Sequence, residues 1–413
     1  MKDLLEISCG LDIHKEKIVA CILKGSLGKR TTTEIREFTT LIPDMLALRD
    51  WIVSQDCHHI AMESTGIYWI PIYEILEEAF SGDITLLVIN ARHMKNVPGK
   101  KTDMRDSEWI STLLRAGLLN GSFIPEKSIR EFRHLNRYRK SIIRDITSQK
   151  NRIEKFLQSS GFRLSSFLSD IFGASGKNII RYLMEHGQID KTALDTCLKT
   201  KTRNRIDEIL MSVNGTLSEH QKSFLKILMS HFDSLNEHLI EVETALKEDM
   251  RPFALQVEQL NSIYGISTTA SCAIIAEIGI DMTHFKTAEH ICSWAGLCPG
   301  NNESAGKRKS TSITKGNPYI KSMLCEVAWV IAGKRNTYLS AWYWRIKQKK
   351  GAKKAIIALA RKLLVIIYTM LKQGTLFDEA CFEIRRKNCE QKKLSHYIRE
   401  LEKHGYLIQT KDA

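Results

Sequence analysis

Two aspartates, Asp103 and Asp106, stand one helical turn apart in the stretch KKTDMRDSEW, directly after a basic run. Residues three apart on a helix share a face, and ligand sets made only of oxygen suit Mg²⁺ or Mn²⁺. One interpretation is half of a metal site directed at a phosphate. The other is a solvated helix start, in which both carboxylates gain from the helix dipole. The spacing alone does not separate the two interpretations.

Two further carboxylates end strand patterns. Asp12 closes LEISCGLDI, and Glu63 lies near the end of the buried pattern HHIAMES. Four carboxylates at strand ends and at a helix start can converge at one edge of a sheet, where two metal ions serve phosphoryl transfer. Taken singly, Asp12 is equally a turn residue and Glu63 a helix-capping acid. Basic residues suited to phosphate contacts favour the metal interpretation: Lys95, Lys100, Lys101 and Arg105.

A second stretch, AGLCPGNNESAGKRKSTSITKGNPYI, places hydroxyls among cations. Its Pro-Gly-Asn-Asn start and later glycines predict an exposed loop. Such a loop can grip phosphate, or it can supply a serine nucleophile whose developing charge nearby cations stabilise. The residues alone favour the phosphate grip. The residues concerned are Ser304, Ser310, Thr311, Ser312 and Thr314, with Lys307, Arg308, Lys309 and Lys315.

The elements that must position the carboxylates alternate between strand and helix patterns. LEISCGLDI and KIVACIL predict a hairpin, TTTEIREFTTLI a further strand, and HHIAMES and DITLLVIN two more. Helical spacing marks MLALRDWIV, IYWIPIYEILEEAF and DMRDSEWISTLLRAGLL. This order predicts a mixed α/β sheet of about five strands with helices on its faces.

The middle of the chain predicts a long helical arm. Helical patterns run over 128–162 and 219–250, and the second carries apolar residues at steps of three and four. Such a heptad seam must pair with another helix. The partner is either the first stretch, folding back antiparallel, or a second protomer; we expect an arm that contributes to oligomerisation. The seam residues are Leu225, Leu228, Phe232, Leu235, Leu239, Val242 and Leu246.

The remainder is predicted to be mostly helical. LNSIYGISTTASCAIIAEIG resembles a helical hairpin with Gly265 at its turn, helices follow from about Pro318 to Leu371, and a helical tail ends the chain. Trp342 and Trp344 are expected in the core rather than as stacking platforms for bases.

Charge is concentrated in one segment. The chain of 413 residues has a net charge of +14, and residues 286–377 carry 17 Lys and Arg against 3 Asp and Glu, a surplus equal to the whole net charge. A polyanion partner follows, because neutralising phosphates releases counterions. No apolar run is long enough to span a membrane, and MKDLLEIS lacks a signal-peptide stretch, so a cytoplasmic protein is expected. The ten cysteines form no CxxC pair and are expected to be reduced and mostly buried.

Three stretches together resemble a known family: GLDIHKEKIVACIL, AMESTGIYWIPIYEIL and NARHMKNVPGKKTDMRDSEWISTLLRAGLL. They are similar to the N-terminal domain of the bacterial DEDD transposases of the insertion-sequence 110 family, also called bridge-RNA-guided recombinases. The resemblance implies a RuvC-like, ribonuclease-H-like α/β domain. It also implies that Asp12, Glu63, Asp103 and Asp106 are catalytic ligands of Mg²⁺ or Mn²⁺, with Lys100, Lys101 and Arg105 contacting nucleic acid.

The serine stretch is similar to the family's C-terminal transposase domain, whose loop serine becomes covalently attached to DNA. Glu303 and Ala305 depart from the family's loop, but the spacing to Gly306 and Lys307 places the nucleophile on Ser304 rather than on Ser310. The resemblance implies nucleic-acid contacts from Lys307, Arg308, Lys309 and Lys315. It further implies donor and target DNA and a bridge RNA as partners, a dimer that assembles to a tetramer, and a composite site shared between protomers.

The predicted domains are therefore 1–125, a RuvC-like DEDD domain; 126–255, a helical coiled-coil arm; 256–375, a basic transposase domain with the serine loop; and 376–413, a helical tail. Two alternatives to a recombinase remain. One is a RuvC-like, metal-dependent nuclease in which metal-bound water attacks DNA. The other is a decayed copy that only binds nucleic acid, against which the presence of all four carboxylates and the loop serine argues.

Overall fold

The computed structural model describes residues 4–64, 66–80, 84–90, 106–300, 302–304, 307–310 and 312–405. The chain divides into two compact units, residues 1–124 and 125–413, which are taken separately below. The division into four domains expected from the sequence stays a prediction.

The first unit is built on a mixed five-stranded sheet of order β3-β2-β1-β4-β5. β1 pairs antiparallel with β2, and β2 with β3, whereas β4 runs parallel to β1 and β5 parallel to β4. This confirms the predicted hairpin and the mixed sheet. The strands are β1 (Ile7–Ile13), β2 (Lys17–Lys24), β3 (Thr32–Thr39), β4 (His59–Glu63) and β5 (Thr85–Ile89).

Helices cover both faces of this sheet. Because side chains alternate across a strand, Cys9, Leu11 and Ile13 of β1 share one face, where they form an apolar core with α1 and α2. On the other face, α3 packs Ile110 and Leu114 against the sheet. The three helices are α1 (Ile42–Ser54), α2 (Trp69–Ala79) and α3 (Asp106–Arg115).

The second unit is mostly helical, as predicted. Its helices are α4 (Lys127–Ser159), α5 (Ala174–His186), α6 (Lys191–Cys197), α7 (Thr200–Arg203), α8 (Ile206–Ser212), α9 (Glu219–Asp249), α10 (Ala254–Asn261), α11 (Thr268–Ile278), α12 (Ala288–Trp294), α13 (Pro318–Gly333), α14 (Tyr338–Lys350), α15 (Ala352–Gln373) and α16 (Glu379–Lys403). Short 3₁₀ helices lie between them at Leu164–Ser166, Arg251–Phe253 and Met282–His284. A two-stranded hairpin, β6 (Asn302–Ser304) and β7 (Lys307–Ser310), completes the unit.

The two longest helices of the arm fold back on each other. Arg139 of α4 donates to Glu243 of α9 at 2.7 Å, and Gln149 Nε2 donates to the Leu228 carbonyl at 2.8 Å. Because residue numbers fall on α9 as they rise on α4, the helices are antiparallel. Of the two partners left open by the sequence, the first stretch of the same chain therefore covers the seam.

This cover is incomplete. Leu225, Phe232, Val242 and Leu246 of the seam are buried, but Leu228, Leu235 and Leu239 are only half-buried. The neighbouring Ile227 and Ile240 of α9 are 65% and 64% exposed. Coiled-coil packing of the arm and its role in oligomerisation remain predictions.

In the C-terminal half, α10 and α11 form the predicted helical hairpin, with Gly265 at positive φ in its turn. The expectation that Trp344 lies in the core was wrong, because its side chain is 45% exposed. Its neighbour Tyr343 is the buried aromatic residue of α14, at 2% exposure. Neighbouring positions of one helix point in directions about 100° apart, so only one of the two can face the core.

Two expectations from composition can be compared with the described residues. Eight described cysteines are free thiols, six of them buried, which agrees with the reduced cysteines expected. In the described parts of the chain, no helix is both long enough and apolar enough to cross a membrane.

Candidate functional site

The carboxyl end of β1 lies beside the carboxyl end of β4. Gly10 and Ala61 are register partners in this parallel pair, and two residues further along each strand stand Asp12 and Glu63. Since side chains alternate across a strand, both carboxylates point to the face of the sheet on which α3 packs. The Asp12 side chain is 14% exposed.

Helix α3 runs antiparallel to β1 on that face. A Cβ atom added to Gly10 would lie 2.1 Å from the Ser107 carbonyl oxygen and 2.5 Å from the Ser111 amide nitrogen, so the helix backbone rests on the glycine. Ser8 Oγ lies 2.9 Å from Ser111 Oγ. Helix numbers rise as strand numbers fall, so α3 begins at the end of β1 that carries Asp12.

Asp106 is the first residue of α3 and is exposed. Asp12, Glu63 and Asp106 therefore stand on one face and at one edge of the sheet. The helix N-terminus favours negative charge at this position, and carboxylate oxygens are the hard donors that Mg²⁺ or Mn²⁺ takes.

The opposite end of α3 is fixed by Arg115. Its guanidinium is buried and donates to the Glu6 carbonyl at 2.7 Å and to the Gly25 carbonyl at 2.8 Å. Hydrogen bonds from a charged group are stronger than neutral ones. Anchored there and seated on Gly10, the helix has a set orientation, which positions its first residue.

A histidine that the sequence interpretation did not single out contacts the site. His14 Nε2 lies 3.2 Å from Asp12 Oδ2, and the imidazole is 56% exposed. The signal was present in the motif GLDIH, which places a histidine two residues after a carboxylate at a strand end. Such a neighbour can orient one oxygen of Asp12 through this contact.

The remaining predicted residues of this edge, Asp103, Lys100, Lys101 and Arg105, lie outside the described residues, as does Lys95. Within the described ranges, no three or more His, Cys, Asp or Glu side chains are grouped closely enough to hold a metal ion. Asp12, Glu63 and Asp106 thus share an edge without forming a closed ligand set by themselves.

Ser304 ends the first strand of the β6–β7 hairpin. Its register partner is Lys307, the first residue of β7, and Glu303 pairs with Arg308. The hairpin places the backbone of Ser304 directly across from a basic position. Ser310 pairs with Asn302, at the opposite end of the hairpin from Ser304.

The base of this serine loop is closed by backbone contacts. Gly300 N donates to the Ser312 carbonyl at 2.8 Å, and Thr314 N donates to the Cys298 carbonyl at 3.0 Å. A Cβ on Gly316 would lie 2.2 Å from the Gly296 nitrogen, so the two segments approach as only glycines allow. Lys315, a predicted nucleic-acid contact, is exposed here.

The residue that follows the loop is tied to a buried carboxylate. Asn317 caps α13 and also donates from Nδ2 to Glu277 Oε2 at 2.6 Å. Glu277 is 1% exposed and accepts two further hydrogen bonds from Arg137 of the arm, at 2.8 and 2.7 Å. Arg133 Nε lies 3.8 Å from the same carboxylate. A chain of charged contacts therefore links α4, α11 and the end of the serine loop.

The two arginines respond differently to this environment. Burial lowers the pKa of Arg133 to about 10, although the Glu277 charge opposes the shift. Burial also disfavours the charge on Arg137, but its hydrogen bonds and attraction to Glu277 outweigh that effect and raise its pKa. Arg137 is thus the main ionic partner of Glu277.

Comparison with known proteins identifies the family to which the regions of the carboxylate edge and the serine loop belong. A model of DEDD transposases of the IS110 kind, described as "Transposase", matches residues 9–161. A second model, described as "Transposase IS116/IS110/IS902 family", matches residues 257–344. Together they cover more than half of the chain. The fold and the carboxylate edge fit a DEDD transposase, and the chain belongs to the IS116/IS110/IS902 family of transposases.

Curated relatives agree with this family. A "Probable family 20 transposase" of Pseudomonas aeruginosa is 21% identical over 183 residues, which are 43% of this chain and 54% of the relative. A "Pilin gene-inverting protein" of Moraxella bovis is 33% identical over 127 residues, 30% of this chain and 39% of the relative. The "Transposase for insertion sequence element IS1111A" of Coxiella burnetii is 24% identical over 167 residues, 40% and 45% of the two chains. The matches span about half of these relatives' length or less.

Proposed function

We propose that this chain is a DNA transposase that cuts and rejoins strands through a covalent phosphoserine intermediate. Asp12, Glu63, Asp103 and Asp106 act as the metal ligands of a RuvC-like domain, and Ser304 is the nucleophile. The observation that carries the proposal is the position of Asp12, Glu63 and Asp106 on one face and at one edge of the sheet, within the region matched by the DEDD model.

In the proposed reaction, Ser304 Oγ attacks the scissile phosphorus, forming an O–P bond as the bond from phosphorus to the DNA 3′ oxygen breaks. The serine proton leaves, and the released 3′ oxygen takes up a proton to become a hydroxyl. A 3′-hydroxyl of another strand then attacks the phosphoserine, which rejoins DNA and frees Ser304. When bound, Mg²⁺ or Mn²⁺ at the carboxylates supplies Lewis-acid stabilisation of charge on the phosphate oxygens.

Basic residues of both regions are assigned to nucleic acid. Lys307, Arg308, Lys309 and Lys315 would stabilise charge beside Ser304, and Lys100, Lys101 and Arg105 would hold phosphates beside the carboxylates. The surplus of positive charge over 286–377 supports a polyanion partner, either donor and target DNA or a bridge RNA.

Oligomerisation is part of the proposal. The half-buried seam leucines of α9, with the exposed Ile227 and Ile240 beside them, leave an apolar strip on the arm that a second protomer can cover. A dimer, and a tetramer on DNA, would let the serine loop of one protomer act with the carboxylate edge of another. The cytoplasmic location expected from the sequence stays a prediction.

A denaturing-gel assay tests the mechanism. Labelled DNA spanning the element's end junction is incubated with protein, the RNA transcribed beside the element, and Mg²⁺. We expect a DNA-bearing protein band in wild type and in Ser310→Ala, the matched serine control, but not in Ser304→Ala or Asp106→Asn. Cleavage without an adduct that persists in Ser304→Ala would instead indicate a hydrolytic nuclease.

A further inference from the structure

Three aromatic side chains of the second unit are exposed around the C-terminal half of α13. Trp329 is 54% exposed, Tyr264 47% and Trp344 45%. Large aromatic side chains gain the most free energy from burial. Several of them exposed around one helix therefore indicate a binding surface. None of the three belongs to the carboxylate edge or to the serine loop.

Contacts to α13 and to the buried Tyr343 beside it hold all three rings around the same helix. Trp344 Nε1 donates to the Ala332 carbonyl at 3.2 Å, which holds the indole against the last turn of α13. Trp329 and Trp344 both contact the buried Tyr343 ring, at 6.4 and 5.5 Å between centroids. On the other flank, the turn bearing Tyr264 packs on the same helix, because a Cβ on the adjacent Gly265 would lie 3.3 Å from Val330 Cγ1.

Cations lie over the faces of two of these rings. Lys334 Nζ is 3.6 Å from the centre of the Tyr264 ring, and Lys347 Nζ is 4.0 Å from the centre of the Trp344 ring. We name Tyr264, Trp329, Trp344, Lys334 and Lys347 the aromatic-lysine surface. At Gly333, between its members, a Cβ atom would meet nothing within 4 Å, so the surface is open there.

The charge of this surface selects among possible partners. Residues 318–350 carry seven Lys and Arg against one Glu. Two copies of such a surface would repel each other, whereas a polyanion would be attracted. Bases of a single strand can stack on the Trp329 ring and on the faces of Tyr264 and Trp344 opposite Lys334 and Lys347, while these ammonium groups meet the phosphates.

We propose that the aromatic-lysine surface binds an unpaired segment of nucleic acid by stacking its bases. Trp329 lies near the C-terminal end of α13 and Lys334 is its C-cap, so a ring and an ammonium group stand at the same end of the helix. Exposed rings suit an unpaired stretch and not a duplex, whose bases are already stacked. The choice of nucleic acid as ligand agrees with the proposed function, but binding here requires neither Ser304 nor the carboxylates.

The test uses the full-length protein and fluorescein-labelled oligomers of about 12 nucleotides, with oligo(dT) and oligo(U) as single strands and a matched duplex. Binding is followed by anisotropy, and tryptophan quenching is followed with unlabelled strands. Trp329→Ala, Trp344→Ala and Tyr264→Ala are compared with Lys349→Ala, which removes an exposed charge from α14 without removing a ring. We expect each ring variant to weaken single-strand binding on the order of tenfold, and Lys349→Ala to weaken it about twofold through charge alone.

Quenching in wild type that is reduced in Trp329→Ala and Trp344→Ala would support stacking. Single-strand affinity equal to wild type in all three ring variants would overturn the proposal, as would a loss of duplex binding in these variants as large as their loss of single-strand binding. If the ring variants sediment differently from wild type but still bind the oligonucleotides as wild type does, the surface is assigned to contact with a second copy of the chain instead. Because no cleavage is measured, these outcomes are independent of the adduct assay.

Discussion

The contact between Gly10 and α3 makes the most specific prediction about the carboxylate edge. Replacing Gly10 by Ala adds a Cβ atom that would lie 2.1 Å from the Ser107 carbonyl oxygen, whereas real Cβ atoms essentially never approach within 3.0 Å. The second close atom, the Ser111 nitrogen at 2.5 Å, belongs to the same helix backbone. Neither atom can rotate away, so α3 must retreat by about 1 Å.

That retreat occurs one residue from Asp106. The overpacked contact should cost about 1–3 kcal/mol of unfolding free energy. Because the carboxylates of Asp12 and Glu63 stay with the sheet while Asp106 moves with the helix, their spacing changes. A misplacement of about 1 Å in a catalytic group can lower a rate about a hundredfold. We therefore expect Gly10→Ala to lower single-turnover cleavage to about that extent and to raise the Mg²⁺ concentration needed for half-maximal rate.

Ser8→Ala is the matched control. Ser8 lies two residues earlier on the same face of β1, and its hydroxyl contacts Ser111 Oγ and the Ser111 carbonyl. Removing that hydroxyl costs about 1 kcal/mol but adds no atom between strand and helix. Thermal melting and cleavage rates are measured for both variants. Equal losses of cleavage in Gly10→Ala and Ser8→Ala would show that the stability of the fold, not the spacing of the carboxylates, limits the reaction. Cleavage by Gly10→Ala at the wild-type rate would refute the link between the Gly10 contact and the position of Asp106.

Three further predictions concern stability and thiol reactivity. Glu277→Ala should lower the free energy of unfolding by about 1–3 kcal/mol in denaturant melts, because it leaves the partly buried Arg137 and Asn317 without their acceptor. Glu243→Ala, at a more exposed ion pair, should cost less than about 1 kcal/mol, and equal costs would contradict this. Burial raises the pKa of Cys21 to about 12, so iodoacetamide at pH 8 should alkylate it only after unfolding, as read by mass spectrometry; rapid labelling of native protein would refute this. Hydrogen bonds from Thr283 lower the pKa of Asp281, so its stabilisation is present above the ordinary carboxyl pKa and is lost as pH falls through the folded value. Asp281→Asn should destabilise the protein by less than about 1 kcal/mol at pH 7, with a difference that shrinks below about pH 4; a difference independent of pH would exclude this origin.

The sequence predicted the sheet well because its signals are local. Alternating or continuous apolar runs bounded by turn residues marked all five strands, and β1 with β2 was recognised as a hairpin from its short connection. The two long helices were found for the same reason, since a repeat sustained over about thirty residues is hard to mistake. The edge at which Asp12 and Glu63 meet followed from the topology these elements allow.

Contacts between distant segments were not predictable in this way. Glu277 lies in the apolar pattern ASCAIIAEIG, where a buried carboxylate would be very costly alone. It is buried because Arg137, 140 residues earlier, and Asn317, 40 residues later, donate to it. Periodicity likewise placed Trp344 on a helix but could not decide between it and Tyr343 for the inward position, since both are aromatic and adjacent.

Gly10 has both a local signal in the sequence and a contact with a distant segment in the structure. In the sequence it is a weakness in the strand pattern LEISCGLDI, because glycine in a strand interior lowers strand stability and packs no side chain. In the structure the missing side chain is what lets the backbone of α3 rest on β1, with Ser107 and Ser111 at distances no Cβ atom would permit. Asp12 stands two residues beyond the glycine, and Asp106 one residue before Ser107. A position that costs the strand stability is thus the position that brings a helix-borne carboxylate to the edge of the sheet, and this is why the carboxylate edge should be more sensitive to Gly10 than the fold itself.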